Sequence, residues 1–311
     1  MLADTVNTVL RKAILWSSES TTLRGFVRRH GMRFGASRFV AGETLDQAVP
    51  TLRRLNERGL RTNTTLLGEG VTVESEALAV AEEYRCVLDR IADEGLRTNL
   101  AVKPTHLGLD LDENVACENI ASVASHARAR GNFIRMDMEE SRHVDSTLGL
   151  YRRLRDAGID NVGFVLQAYL RRTPQDLDEL LPLGPNLRLC KGAYLEPPDV
   201  AYPEKAEVDA AYVHLLERSL REAAFTAIAT HDERMIEHAI AFVGRERIPE
   251  ERFQFQMLYG VRPQLQLALV RRGFSVLVAT PYGPDWYRYL MRRLAERPAN
   301  VGFLVKNLLR G

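Results

Sequence analysis

The chain has 311 residues, 45% of them apolar and 27% charged, and a formal net charge of +1. That balance supports a large buried core and excludes both a disordered segment and a dedicated nucleic-acid binder. No apolar run approaches the roughly 20 residues of a membrane span, so neither a span nor a signal peptide is expected. The three cysteines, Cys86, Cys117 and Cys190, are scattered without a CxxC spacing. This argues against a disulfide framework or structural zinc, and for a reducing cytoplasm.

In chain order, the first 60 residues contain a helical stretch at 6–16 and an arginine-rich one at 23–34. They are expected to form an N-terminal helical arm, 1–60, over one end of the main domain, 61–311. Eight β-prone stretches follow: 62–67, 98–102, 133–138, 162–168, 187–190, 226–230, 253–257 and 275–280. Helical periodicity fills 73–92, 114–128, 143–157, 204–224, 232–242 and 262–272 between them. Strands spaced by about 25 to 35 residues suit βα units rather than a sandwich, whose turns come every 8 to 12 residues. Eight such units predict an α/β chain folded as a closed (β/α)8 TIM-type barrel. An open doubly wound sheet would show a glycine-rich dinucleotide loop near its start. Here Gly68-Glu69-Gly70 is followed by Val73 instead of a third glycine.

A barrel places chemistry at the C-terminal ends of its strands. There the second strand offers Lys103, the third Asp137 and the fourth Gln167; the fifth carries Arg188 and runs into Lys191, Gly192, Ala193 and Tyr194. The sixth ends at Thr230, His231 and Asp232, and the seventh carries Gln256. A strand-end Asp, or a Thr-His-Asp run before a helix, also serves as a helix cap. The set is harder to explain that way, because buried lysine, arginine and aspartate are costly unless paired or bound to ligand. Cations outnumber anions at this mouth, so it should prefer a carboxylate or phosphate. Metal-ligand spacings such as HxH and HExxH are missing, as is a GxSxG nucleophile elbow.

After the last strand, Pro284-Asp285 fits a helix start, and Tyr289 shares a face with Arg292 and Arg293. Glu296, four residues after Arg292, is placed to support it. Two guanidinium forks beside a tyrosine suit a small carboxylate with an apolar body. A solvated basic helix face is the plainer reading of this stretch taken alone.

Seven collinear motifs then identify a resemblance. LGLDLDENV (107–115), RMDMEES (135–141), VLQAYLRR (165–172), RLCKGAY (188–194), ATHDERM (229–235), FQMLYGVR (255–262) and YRYLMRRLAERPAN (287–300) resemble the bacterial monofunctional proline dehydrogenases. The resemblance runs from about residue 62 to 303. It implies a distorted (βα)8 barrel that binds FAD and oxidises L-proline to 1-pyrroline-5-carboxylate by hydride transfer to flavin N5, with a quinone as electron acceptor. A separate 1-pyrroline-5-carboxylate dehydrogenase would follow, and quinone use implies peripheral association with the inner face of the membrane. Carried over position by position, Lys103, Arg292 and Arg293 match carboxylate-binding groups, and Tyr289 and Leu258 match substrate-packing positions. Asp137 matches an active-site aspartate, and Arg188 a catalytic and flavin-contacting arginine. Met138, Gln167, Lys191, Gly192, Ala193, Thr230, His231 and Gln256 match flavin contacts. Lys103 and Asp137 are expected to lie within pairing reach.

One position departs from the pattern. Three residues before Tyr282, where the family usually has a tyrosine covering the substrate ring, this chain has Ala279. The family's hydroxyproline-oxidising branch also has a small residue there, so 4-hydroxyproline or another substituted cyclic imino acid is the alternative substrate. Thr280 and Tyr282 are neighbours that would fill or line the gap. A flavin-free barrel that only binds an amino acid is the alternative from another class.

Overall fold

The computed structural model describes residues 36–296, with the side chains of 292 and 294–296 outside that description. The stretches 6–16 and 23–34, expected as the arm, fall outside it too. Eight parallel strands close into a barrel in sequence order: β1 (Arg61–Leu66), β2 (Thr98–Val102), β3 (Ile134–Met136), β4 (Val162–Gln167), β5 (Asn186–Cys190), β6 (Phe225–Ala229), β7 (Phe253–Leu258) and β8 (Val276–Tyr282). Closure is made by β8 on β1, with Thr62 beside Val278 and Asn63 beside Ala279. All eight strands fall on the expected stretches, displaced by a residue or two at their ends.

The outward strand faces carry Leu100, Ile134, Phe164, Leu187, Ile228, Phe255 and Val278, all buried under the surrounding helices. Each such side chain contributes about 1.5 to 3 kcal/mol on burial, so this outer shell holds the barrel closed. The helices are α2 (Glu74–Asp93), α3 (Glu113–Ala129), α4 (Val144–Asp156), α5 (Thr173–Leu180), α6 (Lys205–Glu222), α7 (Glu233–Glu246) and α8 (Pro263–Arg271). Caps fix several starts: the Asp112 carboxylate accepts from the Asn114 and Val115 amides, and Asp232 from the Arg234 amide. Helix α5 was not expected from the periodicity. It has eight residues with a proline in its first turn, too short for a period to register.

The barrel departs from regular βα order at its seam. Helix α1 (Leu45–Glu57), ahead of β1, packs outside β8 and β1, where the helix following β8 would normally lie. Pro50 inside α1 hides it from a sequence reading, since proline normally ends a helix. Helix α9 (Trp286–Glu296), which follows β8, instead lies at the C-terminal mouth. Its Trp286 is fully buried against Ala36, Phe39, Val40 and Leu67, and the indole donates to Glu43 Oε1 at 2.7 Å. This displacement distorts the regular βα order, and it brings Tyr289 and Arg293 of α9 over the strand ends. Among the described residues, no helix is long and apolar enough to cross a membrane.

Candidate active site

Strand alternation decides which residues reach the barrel axis: Arg135 on β3 and Asp137 just beyond its end, Val165 and Gln167 on β4, Arg188 and Cys190 on β5 point inward. A cavity of about 500 Å³ opens above them at the C-terminal mouth. Lys103, Asp137, Met138, Gln167, Arg188, Lys191, Gly192, Ala193, Thr230, His231, Gln256, Leu258, Tyr289 and Arg293 all line it. Arg292 lies on α9, but its side chain and that of Glu296 fall outside the described residues. One cavity therefore collects nearly the whole set expected from the sequence. A fold without this convergence would have scattered them.

The cavity floor is a hydrogen-bonded chain. The Arg188 guanidinium donates from Nη1 to Asp137 Oδ1 at 3.0 Å and from Nε to Gln256 Oε1 at 2.6 Å. Gln256 donates in turn to Gln254 Oε1 at 3.1 Å, and Gln254 to Ser275 Oγ at 2.8 Å. Asp137, expected within reach of Lys103, is thus held by Arg188 from two strands away. The Arg188 and Asp137 side chains are 12% and 23% exposed, dry enough that this pair is charge-assisted and persistent. Lys103 directly follows β2 and is itself buried.

The wall built from β5 and β6 is basic and polar. Lys191 donates to both Asp209 and Asp232, the latter at 3.1 Å, and Lys205 reaches Asp209 from the first turn of α6. Burial would raise the Asp232 carboxyl, but the Lys191 ammonium outweighs it and holds it at about 2. His231 Nε2 accepts the Leu258 amide at 2.8 Å, which puts the proton of the neutral ring on Nδ1. Arg262, at a left-handed φ of 51°, donates to the His231 carbonyl at 2.9 Å and pairs with Glu233. Gln167 donates to the Glu139 carbonyl at 2.9 Å, and Thr230 Oγ1 accepts from the Asp232 amide at 3.1 Å.

Gly192 has a φ of +114°, and a Cβ there would lie 2.1 Å from the Tyr169 ring. Its glycine is required by this turn and by Tyr169, beyond any approach to a ligand. Cys190 lines the cavity, but burial raises its thiol to about 11, so it stays protonated and is no nucleophile at neutral pH.

The other side is apolar and is closed from above. Leu258, Ala279 and Pro281 from β7 and β8, with Leu67 after β1, line it under Tyr289 and Arg293 of α9. The Arg293 guanidinium carbon lies 5.4 Å from the Tyr289 ring centroid, so the two do share a helix face. Thr280 points away from the cavity: its hydroxyl donates to the Val278 carbonyl at 3.0 Å and is fully buried. Tyr282 is also buried on the outer face of β8, in the shell under the helices. Neither fills the space at Ala279.

Sequence reasoning missed several lining residues. Asn63 and Thr65 of β1 face the axis, and Lys205 reaches in from α6. Asn63 and Thr65 stand in a threonine-rich strand with no apolar alternation to mark its inner face, and Lys205 looks like an ordinary solvated charge at a helix start. The run Lys191–Tyr194 was legible, and Tyr194 also lines the cavity.

Comparison with known proteins agrees with this geometry. The family model described as proline dehydrogenase matches residues 48–306. Proline dehydrogenase 1 of Bacillus subtilis (strain 168) is 41% identical over 302 residues, covering 97% of this chain and 100% of that one. Proline dehydrogenase of Deinococcus radiodurans is 38% identical over 310 residues, covering 98% and 100%. Among solved structures, proline utilization A (PutA) from Bdellovibrio bacteriovorus superposes with a TM-score of 0.82 at 23% identity. That match covers 94% of this chain and 37% of the longer protein, and shows a shared fold.

Proposed function

Because the chain belongs to the proline dehydrogenase family and is an oxidoreductase, we propose that it oxidises L-proline to 1-pyrroline-5-carboxylate with FAD as its bound cofactor and passes the electrons to a quinone. The donor set fits that cofactor. Met138, Val165, Cys190 and Ala229 offer an apolar strip for a flat ring system, above the Arg188 cation. Lys191, Lys205, Thr230 and His231 continue it as a basic, hydrogen-bonding wall suited to an anionic tail. Gln167, Gln256, Gly192 and Ala193 complete the cradle. When bound, FAD supplies the two-electron acceptor for hydride leaving the carbon next to the substrate nitrogen.

The residues of the chain bind and orient the substrate. Lys103 and Arg293, with Arg292 beside it on α9, hold the carboxylate, while Leu258 and Tyr289 pack its ring. Asp137 fixes Arg188 in place, and Arg188 keeps positive charge where electron density accumulates. Tyr289 and Arg293 of α9 cover the cavity and limit the access of water to the reacting carbon. Quinone as acceptor would bring the protein to the inner face of the membrane, and a separate 1-pyrroline-5-carboxylate dehydrogenase would consume the product.

The observation that carries this reading is the convergence of Lys103, Arg188 and Arg293 on one cavity with an apolar flank. Purified protein should absorb near 450 nm and reduce a quinone on addition of L-proline. Colourless protein, fully folded yet inert toward proline, would refute the reading. A second substrate, 4-hydroxyproline or a related substituted ring, is favoured by the open space at Ala279, which Thr280 and Tyr282 leave unfilled. Relative turnover on proline and trans-4-hydroxyproline separates the two.

A further inference from the structure

Beneath the cavity floor lies a cation that the site as described does not use. Arg135 is two residues before Asp137 on β3, pointing into the barrel one layer, roughly 7 Å, below it. It is 2% exposed, and its guanidinium hydrogen-bonds among the described residues to neutral groups. Nη1 donates to the Phe164 carbonyl at 3.0 Å and the Asn186 carbonyl at 3.1 Å, while Nη2 donates to Asn186 Oδ1 at 2.5 Å. Its guanidinium also lies 5.1 Å from the Phe133 ring centroid.

A buried guanidinium ordinarily has a carboxylate beside it, because an unneutralised charge is expensive away from water. The carboxylate within electrostatic reach is Asp137, already hydrogen-bonded to Arg188. Burial and the Arg188 cation both push the Arg135 pKa down and Asp137 opposes them, yet a guanidinium remains charged at neutral pH. Arg135, Asp137 and Arg188 therefore place two positive charges against one negative in the barrel interior. The neighbours are built around the cation: a Cβ on Gly163 would come within 2.9 Å of Arg135 Nη1.

We propose that Arg135 is an electrostatic residue of the reaction, whose buried charge raises the reduction potential of the flavin bound above Asp137 and Arg188. Hydride transfer brings two electrons and one proton to the flavin, adding one negative charge to it, and the substrate leaves as the protonated imine. An excess positive charge in a dry interior stabilises that added charge without touching the cofactor. The inference rests on the flavin reading given above.

The decisive variant is Asn186→Asp. It keeps an acceptor oxygen for Arg135 Nη2 and adds a negative charge beside it, so hydrogen bonding persists while the excess charge is cancelled. The expected result is a negative shift of the flavin midpoint potential, with no fall in the thermal unfolding temperature. Arg135→Met should shift the potential the same way, and Arg135→Lys should hold it near that of the parent. A merely structural Arg135 predicts an unmoved potential in Asn186→Asp. That outcome, in flavin-loaded protein, overturns the inference alone. Protein that folds but carries no flavin overturns the functional reading and this inference together.

Discussion

On the side formed by β3 to β6, with Gln256 of β7 at its edge, polar groups facing the cavity are tied to one another: Asp137 to Arg188, Arg188 to Gln256, Lys191 to Asp209 and Asp232. On the side formed by β7, β8 and the end of β1, Leu258, Ala279, Pro281 and Leu67 offer apolar surface of modest size. The first side is organised before any ligand arrives, so removing one member strands its partners. The second is shaped by volume alone, so its residues can change with little cost to the fold. Electronics and stability should therefore respond to mutations on the first side, substrate choice to mutations on the second.

The largest effect should come from Arg188→Ala. It leaves the Asp137 carboxylate and Gln256 Oε1 without their donor. Breaking a buried ion pair from one side costs about 3 to 5 kcal/mol, and the partial exposure of Asp137 places this site toward the lower end. Thermal unfolding should shift markedly downward, and the flavin potential should become more negative. A variant as stable as the parent would mean that this side is not organised in advance.

Arg293→Met tests the lid between the two sides. Arg293 stacks on Tyr289 and reaches the cavity from α9, outside the strand network. Losing a charge-assisted contact to the substrate carboxylate costs about 1.5 to 3 kcal/mol, a roughly ten- to hundredfold rise in KM. Flavin content and unfolding temperature should stay near those of the parent. An unchanged KM would assign the carboxylate to Lys103 and Arg292 without Arg293, while flavin loss would make α9 a cofactor-holding element.

These expectations rest on features that were unevenly legible in the sequence. The eight strands were readable because parallel strands buried on both faces give short β-branched and aliphatic runs at regular spacing. Strand-end residues such as Lys103, Asp137 and His231 followed once the barrel was inferred, since the fold itself says where polar residues converge. The seam was not legible. Pro50 masks α1, and nothing local in 286–296 says that the helix will cross the mouth instead of returning along the barrel. Pairing was hidden too: which cation takes Asp137 depends on distances between strands, and Arg188 reaches it from two strands away. Arg135 went unread because a strand-interior arginine looks like an outward charge until the register turns it inward.

The smallest effect, and the sharpest test of the apolar side, is Ala279→Tyr. Ala279 lines the cavity between Asn63 on β1 and Leu258 on β7, and is only half-buried. Tyr282, the sequence neighbour named as a filler of the space, is packed on the outer face of β8 and does not compete for it. A phenol here would cover part of the substrate ring, removing on the order of 40 to 80 Å² of apolar surface from water, or about 1 to 2 kcal/mol at roughly 25 cal/mol per Å². A 4-hydroxyl on the ring would lose water against that phenol without an assured partner, which disfavours hydroxyproline by a comparable amount. Both effects act on the ratio of kcat/KM for proline over trans-4-hydroxyproline, which should rise, while flavin potential and stability stay unmoved because no member of the polar network is touched. A fall in activity on both substrates would mean that Leu258 and Tyr289 already close over the ring, so the added volume overpacks. A ratio that does not rise would remove position 279 from substrate selection and leave Leu258 and Tyr289 to set it.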